Sequence, residues 1–118
     1  MVVDDDSMMR EMLKLILLSE DYQVIGEATN GKNAVALCAK LKPELVLLDI
    51  NMPVMDGLQA LEEIRKLNPA TIVMMVSANA TMDKVSEAIV KGAAGFLVKP
   101  LNAASVLDRI GNCFKGRC

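Results

Sequence analysis

Two hydrophobic periods alternate along this chain, and the alternation constrains its architecture more than any other feature. Wholly or mostly apolar runs at Val2-Val3 and at residues 22–28, 45–48, 71–76 and 96–98 read as five strands. Between them, apolar residues recur at helical spacing. Met9, Met12, Leu13, Ile16 and Leu17 fall at i, i+3, i+4, i+7 and i+8, with Ser7 in the N-cap position. Ala34, Leu37, Cys38 and Leu41 line a second helix, stopped by Pro43. Leu58, Leu61 and Ile64 line a third, ended near Asn68-Pro69. Val85, Ala88 and Ile89 line a fourth, with Gly92 as its C′ residue. Val106, Leu107, Ile110 and Phe114 line a fifth. The sum is an α/β chain of the form (βα)5, with a parallel sheet covered on both faces. The runs at 45–48 and 71–76 carry no polar alternation, as expected of strands buried on both sides.

Composition removes many functions. The 118 residues predict one domain over 1–118. Thirteen basic against fifteen acidic side chains give a net charge of −2, which is no footprint for nucleic acid. Tyr22, Phe96 and Phe114 are the only aromatics, so no stacking platform for single strands exists. There is no histidine, which excludes a Ser-His-Asp triad, a Cys-His pair and a phosphohistidine carrier within this chain. Cys38, Cys113 and Cys118 are odd in number and show no CxxC spacing, which favours a reducing compartment. No apolar run approaches membrane-spanning length and the N-terminus is no signal peptide, so a cytoplasmic location is expected.

Parallel sheets of this kind bind ligands at the carboxyl ends of their strands. There the first strand runs into Asp4-Asp5-Asp6, the third into Asp49, the fourth into Ser77 and the fifth into Lys99. In a flavodoxin-like, doubly wound sheet of order 2-1-3-4-5, adopted by analogy, the first and third strands are neighbours. Asp4, Asp5 and Asp49 then share one pocket. Crowded carboxylates repel one another and call for a cation. Mg2+ suits such hard oxygen donors, and Lys99 supplies a further positive charge. Neutralisation and positioning are what phosphoryl transfer requires. Asp49, central and followed by Asn51-Met52-Pro53, is the best candidate nucleophile.

These residues resemble a known family, the receiver domain of two-component response regulators, close to the stand-alone chemotaxis type. The motifs are Val-Val-Asp-Asp (2–5), Leu-Leu-Asp-Ile-Asn-Met-Pro-x-Met-Asp-Gly (47–57), Val-Ser-Ala (76–78) and Gly-Phe-Leu-Val-Lys-Pro (95–100). The resemblance implies that Asp49 accepts a phosphoryl group. It implies Mg2+ ligation by Asp5 and Asp49 directly, by Asp4 through water and by the Asn51 carbonyl. Lys99 would pair with the phosphoryl group, Ser77 would move toward it, and Phe96 would swing into the space vacated. The Lys99-Pro100 bond would be cis. Asn51 and Asn79 would tune the loss of the phosphoryl group. The donor would be a histidine kinase or a histidine phosphotransfer protein. A downstream protein target would read the face built from the fourth helix, fifth strand and fifth helix. The domain would be a phosphoacceptor, not an enzyme acting on other substrates, and would contact neither nucleic acid nor membrane.

Three departures qualify the match. Asp6 adds a third consecutive acid, expected as a solvated residue at the helix start. Only three residues precede Asp4, so a short opening strand is expected. Ser77 stands where Thr is commoner in the family, which keeps the hydroxyl, loses a methyl and implies a looser switch. Two alternatives share the acidic cluster: an Mg2+-dependent phosphotransferase on a free substrate, and a degenerate receiver that binds partners without phosphorylation. Against the first, no second acid follows Asp49 two residues on; against the second, no acid and no Lys99 is missing.

Overall fold

A computed structural model describes residues 1–50, 52, 55–78, 81–99 and 101–115. Five strands alternate with five helices. They are β1 (Val2–Val3), α1 (Ser7–Leu18), β2 (Glu27–Ala28), α2 (Gly31–Leu41), β3 (Leu45–Asp49), α3 (Gly57–Leu67), β4 (Ile72–Ser77), α4 (Met82–Val90), β5 (Gly95–Val98) and α5 (Ala103–Lys115). All four strand pairings are parallel, in the order β2-β1-β3-β4-β5. The (βα)5 reading and its strand order are therefore borne out.

Side-chain alternation in the strands builds two apolar layers. Val3, Val46, Leu48, Val73, Met75 and Phe96 face α2, α3 and α4. Val2, Leu45, Leu47, Met74, Val76 and Leu97 face α1 and α5. The central strands β3 and β4 are buried along their whole lengths, as their unbroken apolar runs require.

Helix starts follow local chemistry. Asn30, Asp56 and Thr81 cap α2, α3 and α4, each side chain accepting a backbone N–H from within the first turn. The α1 cap is Asp6 and not Ser7: the Asp6 carboxylate accepts the Met8 N–H, and Ser7 is the first helical residue. The carboxylate also gains from standing at the positive end of the helix. Gly92 takes φ +104 just past α4, as its sequence position predicts.

Two further readings are corrected. The second strand, expected over 22–28, pairs only through Glu27 and Ala28, because its one neighbour β1 is two residues long. Upstream, Tyr22 and Val24 still pack against the core. Met12 and Ile89, assigned to the buried stripes of α1 and α4, are 45% and 51% exposed.

Candidate phosphoacceptor pocket

The parallel register brings the strand ends together. β1 pairs with β3 so that Val3 stands beside Leu48, and the residues that follow, Asp4 and Asp49, become neighbours. One oxygen each from Asp4, Asp5 and Asp49 lies within 4.8 Å of the others. Asp4 and Asp49 are buried and Asp5 is exposed, so the cluster opens to solvent on the Asp5 side.

Lys99 enters from β5, across the sheet. Its ammonium stands 3.1 Å from Asp4 Oδ2 and 3.6 Å from Asp49 Oδ1. Burial works against that charge, yet the Asp49 and Asp4 carboxylates outweigh it and hold the Lys99 pKa above its ordinary value. The Lys99 backbone N–H also donates to the Ser77 carbonyl at 2.9 Å, so β4 and β5 stay paired up to the pocket rim. Ser77 closes β4, fully buried, on the strand next to that of Asp49.

Two backbone contacts shape the floor. Gly57 donates its N–H to the Ile50 carbonyl at 2.8 Å. A Cβ at Gly57 would run into the carbonyl oxygen of Asp49 and would stand 2.7 Å from Ile50 Cα, so only glycine lets α3 start this close to the β3 end. Asp4 in turn is held at every polar group. Its N–H donates to Ala28 O at 3.2 Å, and its carbonyl accepts Arg10 Nη1 at 2.8 Å. Its Oδ1 accepts the Asp6 N–H at 2.9 Å.

Of the residues singled out from the sequence, Asp4, Asp5, Asp49 and Lys99 converge in space, and Ser77 ends the strand beside Asp49. Phe96 is 7% exposed, packed in the layer that faces α4, as an ordinary core aromatic would be. Asn51, Asn79 and Pro100 lie outside the described residues. Arg10 and Glu27 escaped the sequence reading. A cation one turn into α1, just after three acids, is the signal that could have found the first of them.

Oxygen ligands on opposite sides of Mg2+ lie about 4 Å apart, at bonds of about 2.0–2.1 Å. Three carboxylates within 4.8 Å, all hard oxygen donors, fit that ion with little movement. Among the described residues, no helix is long and apolar enough to cross a membrane.

Known proteins point the same way. The family model for the response regulator receiver domain matches residues 1–111. The chain is 42% identical over 115 residues to the chemotaxis protein CheY of Thermotoga maritima, covering 98% of this chain and 96% of that one. It is 44% identical to the CheY of Listeria monocytogenes over 98% of this chain and 97% of that one. The crystal structure of the CheX-CheY-BeF3-Mg2+ complex from Borrelia burgdorferi superposes with TM-score 0.93 at 36% identity, covering 96% of this chain and 86% of that one. A pocket of acids and one lysine at the ends of a 2-1-3-4-5 sheet, with a family match across nearly the whole length, assigns this chain to the response regulator receiver domains, the phosphoacceptor signalling modules of two-component systems.

Proposed function

We propose that this receiver takes a phosphoryl group from a phosphohistidine on a separate protein onto Asp49 and turns it into a change of surface. One observation carries the reading: Asp49 shares a cluster 4.8 Å wide with Asp4 and Asp5 while Lys99 reaches both Asp4 and Asp49. With no histidine among these 118 residues, the phosphohistidine lies outside them, on a histidine kinase or a histidine phosphotransfer protein.

Asp5 and Asp49 would hold Mg2+ directly, Asp4 through water and Asn51 by its carbonyl. When bound, the ion screens the phosphoryl oxygens and offsets the carboxylate repulsion. The chain's own residues do the rest. One Asp49 oxygen attacks phosphorus, the bond to the histidine nitrogen breaks, and an acyl phosphate forms on Asp49. Lys99 leaves the carboxylates for the new phosphoryl oxygens, a short move for a long flexible stem. The Ser77 hydroxyl turns toward the same oxygens, and Phe96 occupies the space this opens. Asn51 and Asn79, by resemblance to the family, would govern how readily water reaches the acyl phosphate.

The readout face is α4, β5 and α5. Met82, Ile89 and Val90 on α4 and Val98 on β5 are large apolar side chains at least half exposed, the raw material of a protein docking surface. The energetic content is a population shift, biased by contacts that exist only with the phosphoryl group in place.

The test uses acetyl phosphate with Mg2+ and intact-mass detection. A single hydroxylamine-labile phosphoryl adduct is expected on wild type, and none on Asp49→Asn or with EDTA. An adduct that survives Asp49→Asn would move the acceptor elsewhere; no adduct on wild type would make this a phosphorylation-independent module.

A further inference from the structure

The three clustered acids are not held alike. Asp4 has its N–H, its carbonyl and both carboxylate oxygens engaged. Asp49 is locked into the β3 ladder. Asp5 is exposed, and no side-chain hydrogen bond or ion pair reaches its carboxylate from the described residues. Its direction is therefore set by the backbone that carries it.

The Asp4 carbonyl and the Asp5 N–H belong to one planar peptide unit. Whatever pins that carbonyl also restricts the Asp5 Cα. The pin is Arg10, whose side chain is only 17% exposed. Its Nη1 donates to the Asp4 carbonyl at 2.8 Å, while its Nε donates to Glu27 Oε1 at 3.2 Å. Glu27 lies on β2 opposite Val2 and is braced by Lys14 Nζ at 3.0 Å. One rigid guanidinium thus ties α1, β2 and the loop bearing the acids. A lysine, with a single ammonium on a flexible stem, lacks that fork.

We infer that Arg10 is a positioning residue for the metal site: held by Glu27, it fixes the Asp4–Asp5 peptide and so aims the Asp5 carboxylate at Mg2+. The inference rests on the Mg2+ reading above. Outer partners that orient metal ligands commonly matter to affinity almost as much as the ligands. Coulomb's law predicts the opposite sign. Removing a cation beside an acidic cluster should, by charge alone, tighten the binding of another cation.

Calorimetric titration of the full chain with MgCl2, without phosphodonor, separates the two. Arg10→Met is expected to weaken Mg2+ binding by about tenfold, and Arg10→Lys, which keeps the charge, to weaken it by less. Lys14→Met, which removes the second partner of Glu27 but leaves both Arg10 hydrogen bonds in place, is expected to weaken it far less. Unchanged or tighter binding by a folded Arg10→Met protein overturns the inference, as does an equal loss in Lys14→Met. If Arg10→Met fails to fold, Arg10→Lys decides: weaker binding supports the role and wild-type binding overturns it. Wild type that binds no Mg2+ overturns the metal reading and this inference together; normal wild-type binding with an unaffected Arg10 variant overturns this one alone.

Discussion

Gly57 opens α3 directly beneath Asp49, so close that a single added carbon would collide with the Asp49 carbonyl oxygen. The obstacle is backbone on both sides, which has no rotamer to escape into. Gly57→Ala is therefore expected to cost about 1–3 kcal/mol of stability. It should also slow formation of the Asp49 adduct, because α3 and the β3 end move apart. Urea unfolding and intact-mass kinetics check the two halves. A fully stable Gly57→Ala protein would show that the floor is softer than its contacts imply.

Lys99 compensates two buried carboxylates at once. Lys99→Met removes that cation from beside Asp4 and Asp49, and taking a partner from a buried charged group costs about 1–3 kcal/mol or more. A bound Mg2+ would offer the same compensation to the clustered carboxylates. The variant should melt well below wild type in EDTA and regain much of the difference in millimolar Mg2+. Thermal melts in both buffers measure this; a deficit that Mg2+ leaves unchanged would contradict a shared acidic site.

Ser77 is fully buried at the end of β4, so its hydroxyl has little to do at the outer surface. Ser77→Ala is expected to form the Asp49 adduct normally yet transmit it poorly. Amide exchange with and without beryllofluoride, a mimic of the phosphoryl group, reads the transmission. Wild type should change in α4 and β5, and the variant should change markedly less. Equal changes in both would remove Ser77 from the switch.

Cys38 is buried in the layer beneath α2, and burial pushes its thiol up to about 11. In a Cys118→Ser background it should resist thiol reagents in the native protein, while the half-buried Cys113 reacts first. The same shift has a consequence for stability. The unfolded thiol ionises near 9 and the folded one near 11, so folding retains a proton that the unfolded chain loses. This contribution is intact below about pH 9 and fades as the pH climbs toward 11. Denaturation of Cys38→Ala against wild type between pH 8 and 11, values set by about the same thiol titration, should show a steeper loss of stability in wild type, the difference being the Cys38 share.

Much of this was legible in the residues alone. Unbroken apolar runs ending in an acid, a serine and a lysine marked β3, β4 and β5 and the pocket above them. These signals are local, and burial on both sheet faces leaves no ambiguity in them. The edge was harder. Residues 22–25 alternate as a strand would, yet pairing depends on what a neighbour offers, and β1 offers two residues. Ser7 and Asp6 are both good caps, and only geometry chose between them. Arg10 and Glu27 are far apart in sequence and unremarkable singly; their link exists because β2 lies alongside β1.

Asp4 and Lys99 meet across 95 positions of sequence. The chemistry of the pocket is thus a property of the last strand as much as of the first. A nascent chain carries its acids early but gains their counter-charge only once β5 has been synthesised and laid beside β4. On the phosphoacceptor reading, a chain still lacking β5 would present Asp49 without Lys99, so full competence would arrive only with the last strand.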